Sequence, residues 1–346
     1  MKMSKKKIAV AMSGGVDSTV AAYLALKEGF EVVGINLKME PDTLTDEDLK
    51  SSCRILGIEL IEHDCSGEFF EKVLKASALE YVSGRTPNPC CQCNKVLKFA
   101  ELLKVARMNG IDEVWTGHYV ILESENGEYY LRKGSDSGKD QSYFLYRLTQ
   151  EELSHVGFPL GKLTKAEVRT IAAEAELHCA VRKDSQDACF QVPGECCAET
   201  LRRRCNFPVR KGFFIHNGKK VGRHDGFHRY TLGQRQGLNV ALGVPAYVKE
   251  IVPENGNVIL TVDQNELLTS SFTVKEVNWQ SGKYPDMELS VRVRYRSPGV
   301  ACRIEDLGDN RLRVIPVEAQ RAVTPGQAAV FYAGERLIGG GIIEDV

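Results

Sequence analysis

Short apolar runs alternate with helical patterns over the first half of the chain. Between residue 7 and about residue 190, each apolar stretch of strand length is followed by apolar residues at helical spacing. The predicted strands are 7–12, 31–37, 59–64 and 112–120, and the predicted helices are 16–29, 46–57, 68–84, 94–110 and 163–177. This alternation predicts an α/β domain whose parallel sheet is covered by helices on both faces.

After about residue 205 the helical periodicity ends. Short alternating runs follow, and Asn217-Gly218 and Asn255-Gly256 each predict a hairpin turn. Beyond about residue 272 further strands recur at the spacing of a barrel. The pattern predicts an α/β domain (1–204), a small β-rich central domain (205–272) and a C-terminal β-barrel (273–346).

Composition and charge are those of an ordinary globular protein. The 346 residues are 43% hydrophobic and 26% charged, and the formal net charge is −1. No apolar run approaches the roughly 18 residues of a membrane span, and the apolar stretch near the N-terminus is too short for a signal peptide. Without an export signal, the eleven cysteines are expected to be thiols of a cytoplasmic protein rather than a disulfide framework.

A glycine-rich loop lies between the first predicted strand and the first predicted helix. In Ser13–Ser18 (SGGVDS), two glycines allow a tight turn, and N–H groups at the helix start favour a phosphate. Asp17 could position Mg²⁺ or cap the helix. A tight turn with a serine cap is the alternative interpretation. The Lys of the GxxxxGK[ST] loop is missing, and the segment resembles the pyrophosphate loop of enzymes that split ATP into AMP and pyrophosphate.

Two groups of cysteines indicate sulfur chemistry. Cys90, Cys91 and Cys93 follow a loop with two prolines and enter a predicted helix, and Cys189 lies in a distant polar loop. We expect the helix dipole and Lys95 to lower the pKa of Cys93. A catalytic sulfur transfer needs two thiols, because one carries the sulfur as a persulfide and the other resolves it.

Other interpretations of these cysteines remain open. Half of a zinc site at Cys90 and Cys93 is disfavoured, because the chain has no second CxxC. A [4Fe-4S] cluster held by Cys90, Cys93 and Cys189, with one iron free to carry sulfide, competes with the persulfide route. Buried, inert thiols are expected at Cys53, Cys179 and Cys302, and no role is assigned to Cys91, Cys196, Cys197 and Cys205.

Local positive charge predicts an RNA surface in the β-rich half. Between Arg202 and Gly237, ten Lys or Arg face one acid, Asp225, a local charge of +9. Histidines and aromatic residues interleaved with them could stack on unpaired bases. A second basic segment contains Arg292, Arg294, Arg296 and Arg303, and at strand spacing the first three would share one face.

Several motifs together resemble one family, the tRNA-specific 2-thiouridylases. The motifs, in chain order from about Ile8 to Ile343, are SGGVDS, GRTPNPCxxCNKxxKF, TGHY, KDQSYFLYRL, KDSQDxCF, TLGQRQGL and AVTPGQAAVFY. The resemblance implies an N-terminal pyrophosphate-loop domain of the adenine nucleotide alpha hydrolase-like class, a small central β-domain and a C-terminal β-barrel that binds tRNA. It also implies an ATP-dependent replacement of the C2 oxygen of tRNA uridine 34 by sulfur.

The resemblance also implies roles for individual residues. Cys93 would be the nucleophile and Cys189 the persulfide carrier, with Asp17 assisting Mg²⁺-bound ATP. ATP contacts are implied at Ala11, Met12, Ser13, Gly14, Gly15, Val16, Asp17, Ser18, Leu37 and Gly117. Asn88, Pro89 and Cys90 would lie beside the target base, and the tRNA would be faced by His118, Lys139, Asp140, Gln141, Arg294, Tyr295 and Gln327. The expected partners are a tRNA and a persulfide or sulfide donor protein, with the free protein a monomer.

Three departures from the family pattern keep alternatives open. Cys90 stands where some members carry Asp, which favours the cluster route. Leu37 stands where Met is usual, and the segment from Leu37 to Cys53 is short. The stretch 195–212 lacks the usual proline-glycine run. The alternatives are a paralogue that adenylates another substrate, a ligase acting on a small metabolite, and a non-catalytic RNA-binding or sulfur-relay protein.

Overall fold

A parallel sheet forms the centre of the N-terminal domain in the computed structural model, which describes residues 5–40, 47–181 and 187–346. The strands of this region are β1 (Lys7–Ala11), β2 (Glu31–Lys38), β3 (Glu59–Asp64), β4 (Val114–Trp115), β5 (Val120–Glu125), β6 (Glu128–Lys133) and β7 (Val156–Gly157). Five of them form a sheet of order β3-β2-β1-β4-β7 in which every pair is parallel. Along β1, Ile8 and Val10 pack into one apolar cluster and Ala9 into another, so both faces are covered. The predicted α/β class is confirmed.

Most helices begin and end close to the predicted positions. The described helices are α1 (Val16–Lys27), α2 (Glu47–Leu56), α3 (Ser66–Phe69), α4 (Ala76–Val82), α5 (Pro89–Cys93), α6 (Phe99–Met108), α7 (Gln150–Leu153), α8 (Lys165–Glu174) and α9 (Cys197–Cys205). π-Helical segments at Phe70–Lys75 and Asn94–Lys98 join α3 to α4 and α5 to α6. The helix predicted at 94–110 therefore starts five residues earlier, at Pro89. Helix α9 lies in a segment to which no element had been assigned.

The central domain is built on the two predicted hairpins. Its strands are β8 (Gly212–His216), β9 (Lys219–His224), β10 (Tyr247–Val252) and β11 (Asn257–Thr261), in the order β10-β11-β8-β9. Asn217 and Gly218 both have positive φ, at 48° and 72°, as a two-residue hairpin loop requires. Because β11 runs parallel to β8, the two hairpins form one sheet around Phe214 and Val258.

A closed barrel forms the C-terminal domain. Its region contains β12 (Leu268–Thr269), β13 (Phe272–Trp279), β14 (Leu289–Arg292), β15 (Val300–Gly308), β16 (Arg311–Pro316), β17 (Gln320–Arg321), β18 (Ala328–Ala333) and β19 (Arg336–Asp345). Pairing runs β13-β16-β15-β14-β18-β19, and β19 pairs back with β13 to close the ring. The expectation that Arg292, Arg294 and Arg296 share one strand face is wrong, because β14 ends at Arg292 and Arg294 and Arg296 lie in the loop that follows.

The N-terminal region also contributes a hairpin to the barrel. The strand predicted at 112–120 is instead split, with β4 in the parallel sheet and β5 starting a new hairpin with β6. Arg132 of β6 pairs with Arg336 of β19. This hairpin makes part of the N-terminal region continuous with the barrel in one eight-stranded sheet. The predicted domain boundaries stay a prediction.

The segment before α5 lies where the three domains meet. The Thr86 N–H donates to the Pro325 carbonyl at 2.9 Å. The Gln327 side-chain amide donates to the carbonyls of Thr86 (2.9 Å) and Pro87 (3.0 Å). The Thr86 hydroxyl lies 3.2 Å from that of Thr231 in the central domain. The start of α5 is therefore fixed by both β-domains.

Among the described residues, no helix is both long enough and apolar enough to cross a bilayer.

Glu199 connects α9 to the central domain, and its removal should destabilise the protein. Its carboxylate accepts hydrogen bonds from Arg202, His228 and Arg229. The hydrogen bond from Arg202, against the opposing effect of burial, lowers the pKa of Glu199 to about 2. We expect Glu199→Gln to lower the free energy of unfolding at pH 7 by about 1–3 kcal/mol, measured by urea denaturation.

The pH dependence of that loss follows from the lowered pKa. The stabilisation by Glu199 is complete above the unfolded-state pKa of about 4.3 and disappears as the pH falls towards 2. The difference in the free energy of unfolding between wild type and Glu199→Gln should therefore become smaller as the pH falls from about 4.3 towards 2. Glu335→Gln, which removes an exposed pair with Lys133, is the control and should cost well under about 1 kcal/mol. If Glu199→Gln and Glu335→Gln lost the same free energy of unfolding, Glu199 would not have the stabilising role assigned to it.

Candidate active site

The glycine-rich loop lies at the point where the strand order of the parallel sheet changes from one side of β1 to the other. Residues 12–15 leave the carboxyl end of β1, and the chain fills positions β2 and β3 on one side before β4 pairs on the other side of β1. Ligands of open α/β sheets bind in the crevice at such a point. Gly14 takes a φ of +77°, and Gly15 occupies the N-cap of α1 without a side-chain cap. The Ser18 hydroxyl donates to the Gly15 carbonyl at 3.0 Å and closes the turn.

Gly117 brings the end of β4 against this loop. A Cβ at Gly117 would lie 2.8 Å from the carbonyl carbon of Asp17 and 2.9 Å from the Ser18 nitrogen. Only glycine fits such a close approach of two backbones. The structure therefore places Gly117 beside the loop 13–18, and Leu37, near the end of β2, lies at the same edge of the sheet.

Asp17 is held by two side chains that sequence reasoning missed. Lys165 Nζ lies 2.7 and 2.9 Å from the two carboxylate oxygens, and the Tyr119 hydroxyl donates to Asp17 Oδ1 at 2.7 Å. Lys165 is only 9% exposed and is the first residue of α8. A cation at a helix N-terminus is opposed by the helix dipole. Lys165 directly follows the capping residue Thr164 in the sequence. This unfavourable position for a cation was the available signal that Lys165 has an anionic partner elsewhere.

Helix α5 presents its cysteines on two different sides. Asn88 is its N-cap, with Oδ1 accepting from the Cys91 N–H at 3.1 Å, and Pro89 is the first helical residue. Cys90 and Cys93 are three residues apart and so lie on one face. Cys91 is 4% exposed and its thiol lies 3.9 Å from the Tyr143 carbonyl, inside the apolar core. Cys91 is therefore structural.

The thiols of Cys90, Cys93 and Cys189 lie close enough to affect one another's ionisation. Cys90 and Cys189 are exposed and Cys93 is half buried. The surrounding protein still removes enough water to raise the pKa of Cys93 to about 12 and that of Cys90 to about 11, and it also raises the pKa of Cys189. Cys189 further raises the pKa of Cys90 and Cys93, and Cys90 raises that of Cys93, while the Lys98 ammonium lowers the pKa of all three.

The expectation of a low thiol pKa at Cys93 is therefore wrong. Cys93 is the last residue of α5 and continues into a π-helical segment, so it lies beyond the first turn, where the dipole acts. Burial dominates, and the cation that opposes it is Lys98 rather than Lys95.

A buried histidine holds Lys98. His118 is 8% exposed, its ring stacks on Phe99 with centroids 5.7 Å apart, and Nε2 lies 3.4 Å from Lys98 Nζ. An ammonium only donates, so Nε2 accepts and Nδ1–H donates to the Thr116 hydroxyl at 2.6 Å. Burial and Lys98 keep the pKa of His118 well below its usual range. His118 is neutral and does not lie on an exposed surface.

The other residues expected to face tRNA have mixed placements. Asp140 is 4% exposed and accepts from the Gly134 and Ser142 N–H groups and from Arg292. Gln141 accepts from the Tyr119 N–H. Their contacts are structural. Lys139, which comes just before them, is partly exposed.

The barrel residues of that set lie at domain contacts. Arg294 Nη2 donates to the carbonyls of Leu232 and Ala322, both at 2.9 Å, and joins the barrel to the central domain. Tyr295 packs on Phe144, with ring centroids 4.6 Å apart. Gln327 holds the segment before α5, as described above.

Five of the ten cations counted in 202–237 form ion pairs in the fold. Ion pairs join these cations to acids, most of them outside that segment: Arg202 and Arg229 to Glu199, Arg203 to Glu195, Arg204 to Glu40 and Lys211 to Asp225. The remaining exposed charge is concentrated on β9, where Lys220 and Arg223 lie against the Phe213 ring. The hairpin β8–β9 is therefore the stronger candidate for a nucleic-acid contact.

A bound metal cluster would need a converging set of ligands. In the ranges 5–40, 47–181 and 187–346, no three His, Cys, Asp or Glu side chains are grouped so that they could hold a metal ion. The thiols of Cys90, Cys93 and Cys189, as the structure places them, therefore do not form a ready cluster site.

Family models match the chain along nearly its whole length. They are described as tRNA methyl transferase HUP domain (residues 6–193), tRNA methyl transferase PRC-barrel domain (200–262) and aminomethyltransferase β-barrel domain (269–343). The order agrees with the parallel-sheet domain, the central sheet and the closed barrel seen in the structure.

Curated relatives match over the full length of both chains. The tRNA-specific 2-thiouridylase MnmA 1 of Clostridium tetani is 39% identical over 359 aligned residues, covering 100% of this chain and 99% of the relative. The tRNA-specific 2-thiouridylase MnmA of Syntrophotalea carbinolica is 41% identical, covering 99% and 100%. The protein of the same name from Acetivibrio thermocellus is 39% identical, with the same coverage.

The raised pKa of Cys93 predicts slow alkylation with a steep pH dependence. The thiolate is the reactive species, so the alkylation rate of Cys93 by iodoacetamide should rise about tenfold per pH unit from about pH 7 to about pH 10. An ordinary thiol, with a pKa of about 8.5, levels off within this range. Tandem mass spectrometry assigns the label, and the same peptide in urea is the control. A plateau near pH 9 in the folded protein would refute the raised pKa.

Proposed function

The chain belongs to the tRNA-specific 2-thiouridylase family, and we propose that it uses ATP to replace the C2 oxygen of the wobble uridine of tRNA by sulfur. The observation that carries this proposal is that Cys93 packs in one apolar cluster with Ala188 and Phe190, the two neighbours of Cys189, while Lys98 lowers the pKa of both thiols. A nucleotide site at the switch point of the sheet supports it. A ligase for a small metabolite would need the loop but neither the thiols nor the barrel.

In the first half-reaction the C2 oxygen attacks the α-phosphorus of ATP and pyrophosphate leaves. The N–H groups at the start of α1 and the hydroxyls of Ser13 and Ser18 bind the phosphates, and Lys165 adds a positive charge at the loop. Magnesium would supply further charge neutralisation, and Asp17 is the loop carboxylate whose chemistry fits it. The proposed products are AMP, once sulfur has entered, and pyrophosphate.

The second half-reaction moves sulfur from Cys189 to carbon. The terminal sulfur of a Cys189 persulfide attacks C2, and AMP leaves with the original oxygen. The Cys93 thiolate then attacks Cys189 Sγ and breaks the S–S bond to the transferred sulfur. The 2-thiouridine is released, and a Cys93–Cys189 disulfide remains that a reductant must reopen.

Lys98 supplies a positive charge that partly offsets the effect of burial on the pKa of the thiols. It lowers the pKa of both Cys93 and Cys189, against the larger effect of desolvation. Neutral His118 accepts from the Lys98 ammonium without competing for it as an anion would. We therefore assign to His118 the positioning of Lys98 rather than a contact with tRNA.

The partners follow from the same proposal. The exposed cations of hairpin β8–β9 and partly exposed Lys139 are the surface we assign to the tRNA backbone. Asn88 and Pro89, at the start of α5, are the residues we assign to the target base. A persulfide or sulfide donor, a cytoplasmic location and a monomeric free state stay predictions.

Loss of the loop charges should stop adenylation. Asp17→Asn and Lys165→Met remove the two partners of one partly buried ion pair at the loop, so both should reduce tRNA-dependent pyrophosphate release at least about 100-fold, measured by a coupled pyrophosphate assay. Exposed Lys162, on the turn before α8, provides the control variant Lys162→Met. Release at the wild-type rate from Asp17→Asn would exclude the loop from the reaction.

Loss of either thiol should separate the two half-reactions. Cys189→Ser should still release pyrophosphate but form no 2-thiouridine, because adenylation precedes sulfur transfer. Cys93→Ser should also form none, because the adduct is not resolved. Mass spectrometry of digested tRNA measures the product, with Cys302→Ser in the barrel as the control. Thiolation by Cys189→Ser would refute its role as carrier.

A further inference from the structure

A loop that the mechanism does not use lies against the two residues that hold Asp17. Residues 134–141 connect β6 to a 3₁₀ turn that begins at Ser142. A Cβ at Gly134 would lie 2.7 Å from the Tyr119 carbonyl oxygen, so the loop packs closely against the backbone that follows β4. Two residues of the loop also make hydrogen bonds, each to one partner of Asp17.

Gln141 holds the tyrosine partner from one side. Its N–H donates to the Tyr119 carbonyl at 2.9 Å, and its side-chain oxygen accepts from the Tyr119 N–H at 3.0 Å. These two bonds fix the backbone from which the Tyr119 hydroxyl reaches Asp17. Through Tyr119, the end of the loop therefore helps to set the position of the Asp17 carboxylate.

Asp136 holds the lysine partner from the other side. Its Oδ2 accepts from the backbone N–H of Lys165, the first residue of α8, at 3.0 Å. This N–H is one of those at a helix start that have no partner within the helix. A carboxylate at this end also offsets the unfavourable interaction of the Lys165 ammonium with the helix dipole. Asp136 thus fixes the backbone from which Lys165 reaches both oxygens of Asp17.

The same aspartate forms the turn that carries Lys139. Asp136 Oδ1 accepts from the Gly138 N–H at 3.0 Å, and the Asp136 carbonyl accepts from the Lys139 N–H at 3.0 Å. Lys139 is partly exposed and is assigned above to the tRNA backbone. One residue therefore connects the turn assigned to tRNA with the helix that supplies Lys165.

The far end of the loop is anchored in the barrel. Asp140 is buried, and its Oδ1 accepts from the N–H groups of Gly134 and Ser142, at 3.1 and 3.0 Å. Its Oδ2 accepts from Arg292 of β14 at 3.3 Å. The loop is thus closed on itself and attached to the barrel, so Asp136 contacts α8 from a fixed base.

We propose that Asp136 is a positioning residue for adenylation, which holds Lys165 at Asp17 and joins the phosphate loop to the turn assigned to tRNA. The proposal rests on the proposed function, in which the loop 13–18 binds ATP and Lys165 adds a positive charge there. Asp136 acts through Lys165 and is assigned no contact with either substrate. Because Gln141 still holds the other partner of Asp17, loss of the Asp136 contact should weaken adenylation without abolishing it.

The variant Asp136→Asn removes the contact with α8 and keeps the turn. The remaining amide oxygen suits the local bond to Gly138, as asparagine does in such turns, whereas the carboxylate oxygen that accepts from Lys165 is lost. With ATP, magnesium and unmodified tRNA, kcat for pyrophosphate release should fall about tenfold, while KM for tRNA should change by less than about twofold. A wild-type kcat in Asp136→Asn would overturn the proposal.

The barrel provides a matched control for this substitution. Asp306 Oδ1 accepts from the Gly308 N–H at 2.8 Å, the same bond between an aspartate and a glycine two residues later, at an exposed position. Asp306→Asn should release pyrophosphate at the wild-type rate. A loss equal to that of Asp136→Asn would mean that the change of turn, and not the contact with Lys165, is responsible, and would refute the assignment.

A double variant separates positioning from a general structural effect. If Asp136 acts through Lys165, adding Asp136→Asn to Lys165→Met should cause no further loss of pyrophosphate release, because the ammonium that Asp136 positions is already absent. Single-turnover release from radiolabelled ATP measures these slow variants. A further loss as large as in the Lys165 background would show that Asp136 acts elsewhere, contrary to the proposal.

A failure of the proposed function gives a different result. If wild type neither releases pyrophosphate with tRNA nor forms 2-thiouridine, the thiolation proposal fails, and amide hydrogen exchange of the free protein tests the contact alone. Read at single residues by mass spectrometry, the Lys165 N–H should be protected in wild type and in Asp306→Asn and should lose this protection in Asp136→Asn. Equal exchange at Lys165 in wild type and Asp136→Asn would refute the positioning role.

Discussion

The docking of residues 85–87 onto the barrel is the contact on which the thiol site depends. This segment has no regular secondary structure, so its backbone polar groups need partners elsewhere. The Pro325 carbonyl and the Gln327 amide provide them. A Cβ at Gly326 would lie 2.9 Å from the Thr86 carbonyl oxygen, which shows how closely the two backbones approach. Helix α5, with Cys90 and Cys93, begins two residues later, so its position is set by the assembled domains.

Local sequence signals predicted the elements whose causes are local. The loop 13–18, the Asn217-Gly218 hairpin and the capping box of Thr164 and Glu167 were all predicted because turn and cap residues act within a few positions. The hairpin β5–β6 was missed although Asn126-Gly127, with φ of 52° and 81°, carries the same turn signal as Asn217-Gly218. Only its pairing with β19, about 200 positions away, had no local signal. Arg294 was interpreted as a surface residue because its carbonyl partners come from distant loops.

The chemistry of the site was less predictable than its residues. Sequence spacing identified the cysteines, but the pKa of a thiol depends on how much protein surrounds it, and this is a property of the fold. Charge counting between 202 and 237 also overestimated the exposed positive charge, because Glu40, Glu195 and Glu199 lie outside the counted segment and pair with four of its cations. Lys165 reaches Asp17 from 148 positions away, a distance at which sequence pattern gives no pairing.

High thiol pKa values suit a site that must hold sulfur without losing it. Oxidation by peroxide follows thiolate character, so thiols with a pKa near 11 or 12 stay largely protonated at neutral pH and resist it. Reactivity then depends on the nearby cation Lys98, which lowers the pKa of all three thiols, and on which thiols are already bonded. Forming a disulfide removes an ionisable neighbour and leaves the effect of Lys98 in place. The state of the sulfur itself therefore controls which thiol reacts next.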